Sequence, residues 1–183
     1  MVRAFIAVDI ESEETIKNII SLQRELEKFG KFKIVSPENL HITLKFLGEI
    51  DPSKVDLVSE ILGRLEAEGF TIELKGVGCF PSPSRPNVVW IGVTEGYEQL
   101  MHIWKFVEDN LSRHGFQRER RGFKPHLTVA RVKFIINRQG FRRLVETHRN
   151  LKLGKEKVRT VKLKKSTLTP TGPIYSDLYV KTL

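Results

Sequence analysis

The tripeptides His41-Ile42-Thr43 and His126-Leu127-Thr128 stand 85 residues apart, and the chain around them repeats at the same offset. With no gap introduced, Phe5 falls on Trp90, Ile6 on Ile91, Val8 on Val93, Leu26 on Leu111 and Gly30 on Gly115. Past the tripeptides an offset of 89 serves better, pairing Leu74 with Leu163, Lys75 with Lys164 and Pro81 with Pro170. The matches are few, so a shared strand–helix rhythm is the competing account. A duplicated unit explains more of the coincidences.

Each copy reads as alternating strands and helices. Phe5-Ile6-Ala7-Val8 is a short buried strand, and Ser12 caps a helix whose first turn carries Glu13 and Glu14, where negative charge suits the dipole. Ile16, Ile19, Ile20 and Leu26 form its apolar stripe, and Gly30 is expected to close it. A strand is expected around 40–47. Asp51-Pro52 then opens a second helix, and Phe70, Ile72 and Leu74 alternate as a strand before the turn-rich Pro81, Pro83 and Pro86. In the second copy, 88–93 reads as a strand and Leu100 to Leu111 as a helix closed by Gly115. His126 to Val132 is a strand, Phe141, Leu144 and Val145 mark a helix, and strands open at Val161 and run from Tyr175 to Leu183. The expected architecture is α+β and bilobal with a pseudo-twofold: two antiparallel-rich sheets face a central cleft, with helices on the outer faces, in one domain spanning 1–183.

Along a strand, residues i and i+2 share a face. His41 therefore projects with Thr43 while Ile42 and Leu44 turn inward, and His126 projects with Thr128 over Leu127 and Val129. Two such strands across a cleft aim two imidazoles and two hydroxyls at one space. One imidazole can take a proton from an attacking water, the other can protonate the departing oxygen, and the hydroxyls can hold phosphate oxygens. Histidine suits both tasks because its unperturbed pKa lies near neutrality. A metal site is the rival reading of the pair. No His-x-His, His-x-x-x-His or acidic partner accompanies either histidine, and threonine is a poor ligand, so no metal or other cofactor is expected. His102, His114 and His148 lie in or beside helices and are read as structural.

The net charge of +9 and pI near 9.7 favour an anionic partner, above all nucleic acid. Arg118, Arg120, Arg121 and Lys124 run into the second His-x-Thr, and Lys162, Lys164 and Lys165 mark a late strand. A hydrophobic content of 40% argues against disorder, and no apolar run reaches the roughly 20 residues that span a bilayer. The single cysteine, Cys79, cannot form an internal disulfide. Met1-Val2-Arg3-Ala4-Phe5 lacks the layout of a signal peptide. A soluble cytoplasmic monomer is expected.

Four segments resemble the two-histidine phosphoesterases, specifically their branch of RNA 2′,3′-cyclic phosphodiesterases, also called 2′-5′ RNA ligases. They are Arg3-Ala4-Phe5-Ile6-Ala7, His41-Ile42-Thr43-Leu44-Lys45-Phe46-Leu47-Gly48-Glu49, Lys124-Pro125-His126-Leu127-Thr128-Val129-Ala130-Arg131, and the ending from Ser166 through Thr171 to Tyr175. The resemblance implies a bilobal fold, a metal-independent reaction, and RNA or nucleotides with 2′,3′-cyclic phosphate ends as substrate. It implies opening of the ring to a 2′-phosphomonoester, with His41 as proton donor to the 3′ oxygen, His126 as the base that activates water, and Thr43 and Thr128 as phosphate holders. Arg131, Arg3 and Tyr175 are implied substrate contacts, with an ion pair the alternative for Arg131. Phe46 and Tyr175 are candidates to stack on a base, although burial is the expectation for Phe46. Near-symmetric lobes leave the acid and base roles exchangeable. Reverse ligation, cleavage of 2′,5′-linked oligonucleotides or a cyclic ADP-ribose phosphate, and a non-enzymatic RNA-binding module are the other readings.

Overall fold

A computed structural model of the chain describes residues 1–170 and 172–183; Thr171, within the ending segment named above, lies outside the described residues. The strands are β1 (Val2–Asp9), β2 (Gly30–Ile34), β3 (His41–Ile50), β4 (Phe70–Ser82), β5 (Arg85–Val93), β6 (His126–Ile135), β7 (Lys152–Val158), β8 (Thr160–Thr169) and β9 (Gly172–Thr182). The helices are α1 (Glu13–Leu26), α2 (Pro52–Gly63), α3 (Tyr97–Ser112) and α4 (Arg138–Thr147). Ser12 and Asp51 cap α1 and α2 as read from the sequence, accepting from the amides of Thr15 and Ser53.

The strands form one curled sheet in the order β7-β4-β5-β6-β3-β1-β8-β9, with β2 also on β6, and their pairings are antiparallel. The two antiparallel sheets expected from the repeat are its halves. They join at a single pair, Ile42 with Leu127, where β3 meets β6. Each half takes its third strand from the other copy: β8 lies beside β1, and β4 beside β5. The lobes are therefore interlaced, and neither is a contiguous half of the chain. Helices α2 and α3 cover the β3-β1-β8-β9 half, while α1 and α4 cover the other.

The repeat is closest in β3 and β6, which have equal length and the same order of half-buried, buried, half-buried, buried, buried, exposed residues. In each, one extra residue interrupts the ladder at the equivalent place. Ile6 and Ala7 face Lys45 and Thr43, skipping Leu44; Val89 and Trp90 face Ala130 and Thr128, skipping Val129. Such a bulge reverses which residues face inward. Leu44 and Lys45 are thus buried in succession, as are Val129 and Ala130, and Phe46 and Arg131 return to the face of the histidines.

Three readings need correction. Gly30 does not close α1; it is extended, at φ 170°, and opens β2, where an added Cβ would lie 2.3 Å from the Phe134 carbonyl oxygen. Strands β2 and β7 were not expected, because each alternates lysines with few apolar residues. Finally, β4 runs through Pro81, which pairs across the hairpin with Pro86 instead of lying in a loop.

The inward turn of Lys45 has a consequence for the second motif. Its ammonium, 7% exposed, meets the Glu108 carboxylate of α3, 4% exposed, and donates to the Gln117 carbonyl at 2.8 Å. Glu108 also accepts from the Glu119 amide at 3.1 Å. One buried pair thus ties β3 to the loop that leads into His126. Removing one partner of such a pair leaves a buried unpaired charge, whereas an apolar replacement of both is far milder. Glu108→Ala is expected to lower unfolding free energy by about 3–5 kcal/mol, and the Lys45→Met/Glu108→Leu double variant to recover most of it, as read by denaturant unfolding.

Candidate active site

His41 and His126 are the first residues of β3 and β6, half-buried, and each is held in the same way. Nδ1 of His41 lies 2.7 Å from the Asn39 carbonyl oxygen, and Nδ1 of His126 lies 2.6 Å from that of Lys124. A carbonyl oxygen only accepts, so Nδ1 carries the proton in both rings and Nε2 is left free. The neutral rings present a basic lone pair at Nε2; the charged rings present an acidic proton there.

The bridge between Ile42 and Leu127 brings the motifs together. One step either side of an antiparallel pair, His41 stands across from Thr128 and Thr43 across from His126. The four predicted side chains therefore occupy neighbouring positions on one face. Neither threonine hydroxyl has a side-chain partner among the described residues, and neither is buried from solvent. Both are available to an incoming anion.

Aromatic rings support each imidazole. Phe5 and Tyr175 lie 5.0 and 5.2 Å from the His41 ring, and Phe80 and Trp90 lie 5.0 and 6.4 Å from that of His126. The 85-residue offset matches Phe5 with Trp90, but in the ladders Trp90 faces Thr128 as Ala7 faces Thr43, so the two rings are supported from different positions. Gly78 makes room for Trp90, since a Cβ there would lie 2.3 Å from the indole ring. The remaining candidates gather on the His41 side. Burial raises the Tyr175 phenol, and the charges of Arg131, Arg3 and Lys164 partly offset that rise. Arg131 comes from the strand of His126, so its charge acts on Tyr175 from the other wall. Both arginines are exposed and have no ion pair among the described residues, which removes the ion-pair reading of Arg131. Phe46 is 73% exposed, against the expectation of burial, because the bulge turns it outward.

The histidines differ in their charged surroundings. Asp9, in register with His41, accepts from Lys162 and from Lys164, each at 2.8 Å, and Asp177 accepts from Lys164 at 2.7 Å. Burial would raise the Asp9 carboxyl, but its bonds to Lys162 and Lys164 outweigh this and hold it below the usual range. Two of the late-strand lysines are therefore neutralised by carboxylates, and of the three only Lys165 is exposed. Burial also lowers the proton affinity of His41; the Asn39 carbonyl and Asp9 oppose this, while Lys164 and His126 reinforce it. Of the basic residues before His126, Arg118 pairs with Asp109 at 3.0 Å. His148 pairs with Glu25 at 3.0 Å, whereas His102 and His114 are exposed.

Among the described residues no group of three or more His, Cys, Asp or Glu side chains is placed to hold a metal ion. Cavities of about 320 and 510 Å³ open beside Asp9 and beside Phe46, and neither is lined by either histidine. Both histidines are half-buried on the face where β3 meets β6, the groove of the site. The carbonyl anchors, the aromatic supports and the ion cluster were not singled out from sequence.

The family model of LigT-like phosphoesterases matches the chain twice, over residues 8–90 and 91–175, in agreement with the repeat. An RNA 2′,3′-cyclic phosphodiesterase of Methanocaldococcus jannaschii is 42% identical over 174 residues, covering 94% of this chain and 96% of that protein. One of Archaeoglobus fulgidus is 42% identical over 180 residues, covering 97% and 98%. Among solved structures, Escherichia coli LigT complexed with 3′-AMP superimposes with a TM-score of 0.79 at 26% identity, covering all of this chain and 98% of that one. With both of its copies matched and relatives of this closeness along nearly its whole length, the chain belongs to the LigT-like phosphoesterase family.

Proposed function

We propose that the protein hydrolyses 2′,3′-cyclic phosphate ends of RNA to 2′-phosphomonoesters, by acid–base catalysis between His41 and His126 and without a metal ion. The observation that carries this reading is the bridge at Ile42 and Leu127, which sets two imidazoles with free Nε2 atoms beside two unengaged hydroxyls. The relatives' activity and the 3′-AMP complex of LigT support the substrate class.

In the reaction, neutral His126 takes a proton through Nε2 from water as the water oxygen bonds to phosphorus. The bond from phosphorus to the 3′ oxygen breaks, and protonated His41 delivers its Nε2 proton to that oxygen. Thr43 and Thr128 donate to the non-bridging oxygens, with Arg131, Arg3 and Tyr175 as further contacts on the His41 side. A lowered proton affinity makes the His41 imidazolium a stronger acid, and the arriving anion favours the charged form. Joining a cyclic phosphate end to a hydroxyl is the same displacement with that hydroxyl in place of water: His126 takes its proton, its oxygen bonds to phosphorus, and the 3′ oxygen leaves with the proton from His41. Both histidines come from one chain, so a cytoplasmic monomer suffices.

His41→Ala and His126→Ala are each expected to lower kcat on an oligonucleotide with a 2′,3′-cyclic phosphate end by about 10²–10⁴-fold, and Thr43→Val or Thr128→Val by roughly 10²-fold, with RNA binding retained. Unchanged turnover in the histidine variants would overturn the two-histidine reaction, and RNA binding without turnover in the wild type would favour the non-enzymatic module. Mapping the product phosphate is expected to place it on the 2′ oxygen; a 3′-phosphate would overturn the choice of leaving group. Exhaustive treatment with a chelator is expected to leave the rate unchanged, and a loss restored by a divalent ion would contradict the metal-free reaction.

A further inference from the structure

The two histidines have the same strand position, the same carbonyl anchor and the same edge-on aromatic support. If these features alone governed their proton affinities, the acid and base roles would be interchangeable. The groove is not symmetric in charge. The place across from His126 that Asp9 holds across from His41 is taken by Gly92, and the place beside Val88 that Lys164 holds beside Phe5 is taken by Phe80. Among the described residues the cluster of Asp9, Lys162, Lys164 and Asp177 has no charged counterpart at these places, Gly78 standing beside Trp90 as Lys162 stands beside Ala7.

We infer that this ion cluster breaks the pseudo-twofold of the groove and assigns the two histidines different roles, with Asp9 and Lys164 as positioning residues acting on His41. The inference rests on the acid–base reading above and deepens it. Lys164 is 6% exposed and is fixed from two sides, by Asp9 at 2.8 Å and Asp177 at 2.7 Å. Its strand neighbour is Phe5, which packs on the His41 ring, and Asp9 is the strand neighbour of His41 itself. An ammonium and a carboxylate are thus held rigidly on one side of one imidazole.

The charged and titratable groups around His41 come from four strands. They are Asp9 and Arg3 on β1, Lys162 and Lys164 on β8, Tyr175 and Asp177 on β9, and His126 and Arg131 on β6. Asp9 favours the His41 imidazolium, while Lys164 and a protonated His126 oppose it. Lys164, held against Asp9, acts on His41 in the opposite direction to it, and burial is the largest influence lowering the proton affinity of the ring. The substrate phosphate supplies the missing negative charge at the moment a proton donor is needed. His126, with no such cluster, is left to the groove and solvent.

The test is a titration of both imidazoles by NMR in the free protein, in the wild type and in Lys164→Gln and Asp9→Asn. In Lys164→Gln the midpoint of His41 is expected to rise by roughly half a unit or more, since an opposing charge is lost and Asp9 is released. In Asp9→Asn it is expected to fall by a similar amount, since Lys162 and Lys164 are no longer offset. The midpoint of His126 should stay within about 0.2 units in both. A merely structural role predicts no such opposite shifts. Unmoved His41 midpoints, shifts of one sign in both variants, or equal shifts at both histidines would overturn the inference. Asp9→Asn carries the test alone if the Lys164 variant does not fold. The titration needs no turnover, so its outcome is separate from failure of the catalytic reading, which active His41→Ala and His126→Ala variants would reveal. In the pH profile of kcat/KM, the limb that falls as His41 loses its proton should move up in Lys164→Gln and down in Asp9→Asn.

Discussion

A single backbone pairing, Ile42 with Leu127, holds the candidate site together. Among the described residues their other ladder pairings are with different strands: β3 with β1, and β6 with β5 and β2. The two strands touch only where their histidines and threonines project. An antiparallel crossing of that kind converts two motifs distant in sequence into four adjacent side chains. The exchanged third strands add to this, because the chain passes between the halves from β3 to β4 and again from β7 to β8. The Lys45–Glu108 pair and its bond to Gln117 add a third tie, from the first motif to the approach of the second.

Against that near-symmetric frame, function needs an asymmetry. Ring anchoring supplies none, since both Nδ1 atoms meet a carbonyl two residues back. Charge does. A cluster of two lysines and two carboxylates on one side alters the surroundings of His41 and leaves those of His126 alone. The exposed arginines follow the same bias, with the charges of both Arg3 and Arg131 acting on the Tyr175 phenol. The basic composition of the chain is therefore divided between cations neutralised in the fold and cations left facing the groove.

Much of this was legible in the residues. The offset between the copies placed both histidines on equivalent strands, and alternation placed each threonine on the face of its histidine. The helix starts were readable because Ser12 and Asp51 are local signals. What was not legible depends on distant partners. Strands β2 and β7 carry too few apolar residues to announce themselves, and become strands by pairing with β6 and β4. The exchange of third strands leaves no mark on either copy. The exposure of Phe46 and the burial of Lys45 follow from a bulge at Leu44, which alternation does not foresee. Lys162 and Lys164 read as part of a basic surface until Asp9 and Asp177 are placed beside them.

The central claim is that His41 and His126 act on one phosphate as a unit. It is tested most directly by a double-mutant cycle on kcat for an oligonucleotide ending in a 2′,3′-cyclic phosphate. Residues that serve one step together are strongly non-additive. The expected result is that the His41→Ala/His126→Ala protein is little slower than the slower single variant. Losses that multiply in full, as for two independent sites, would contradict the account.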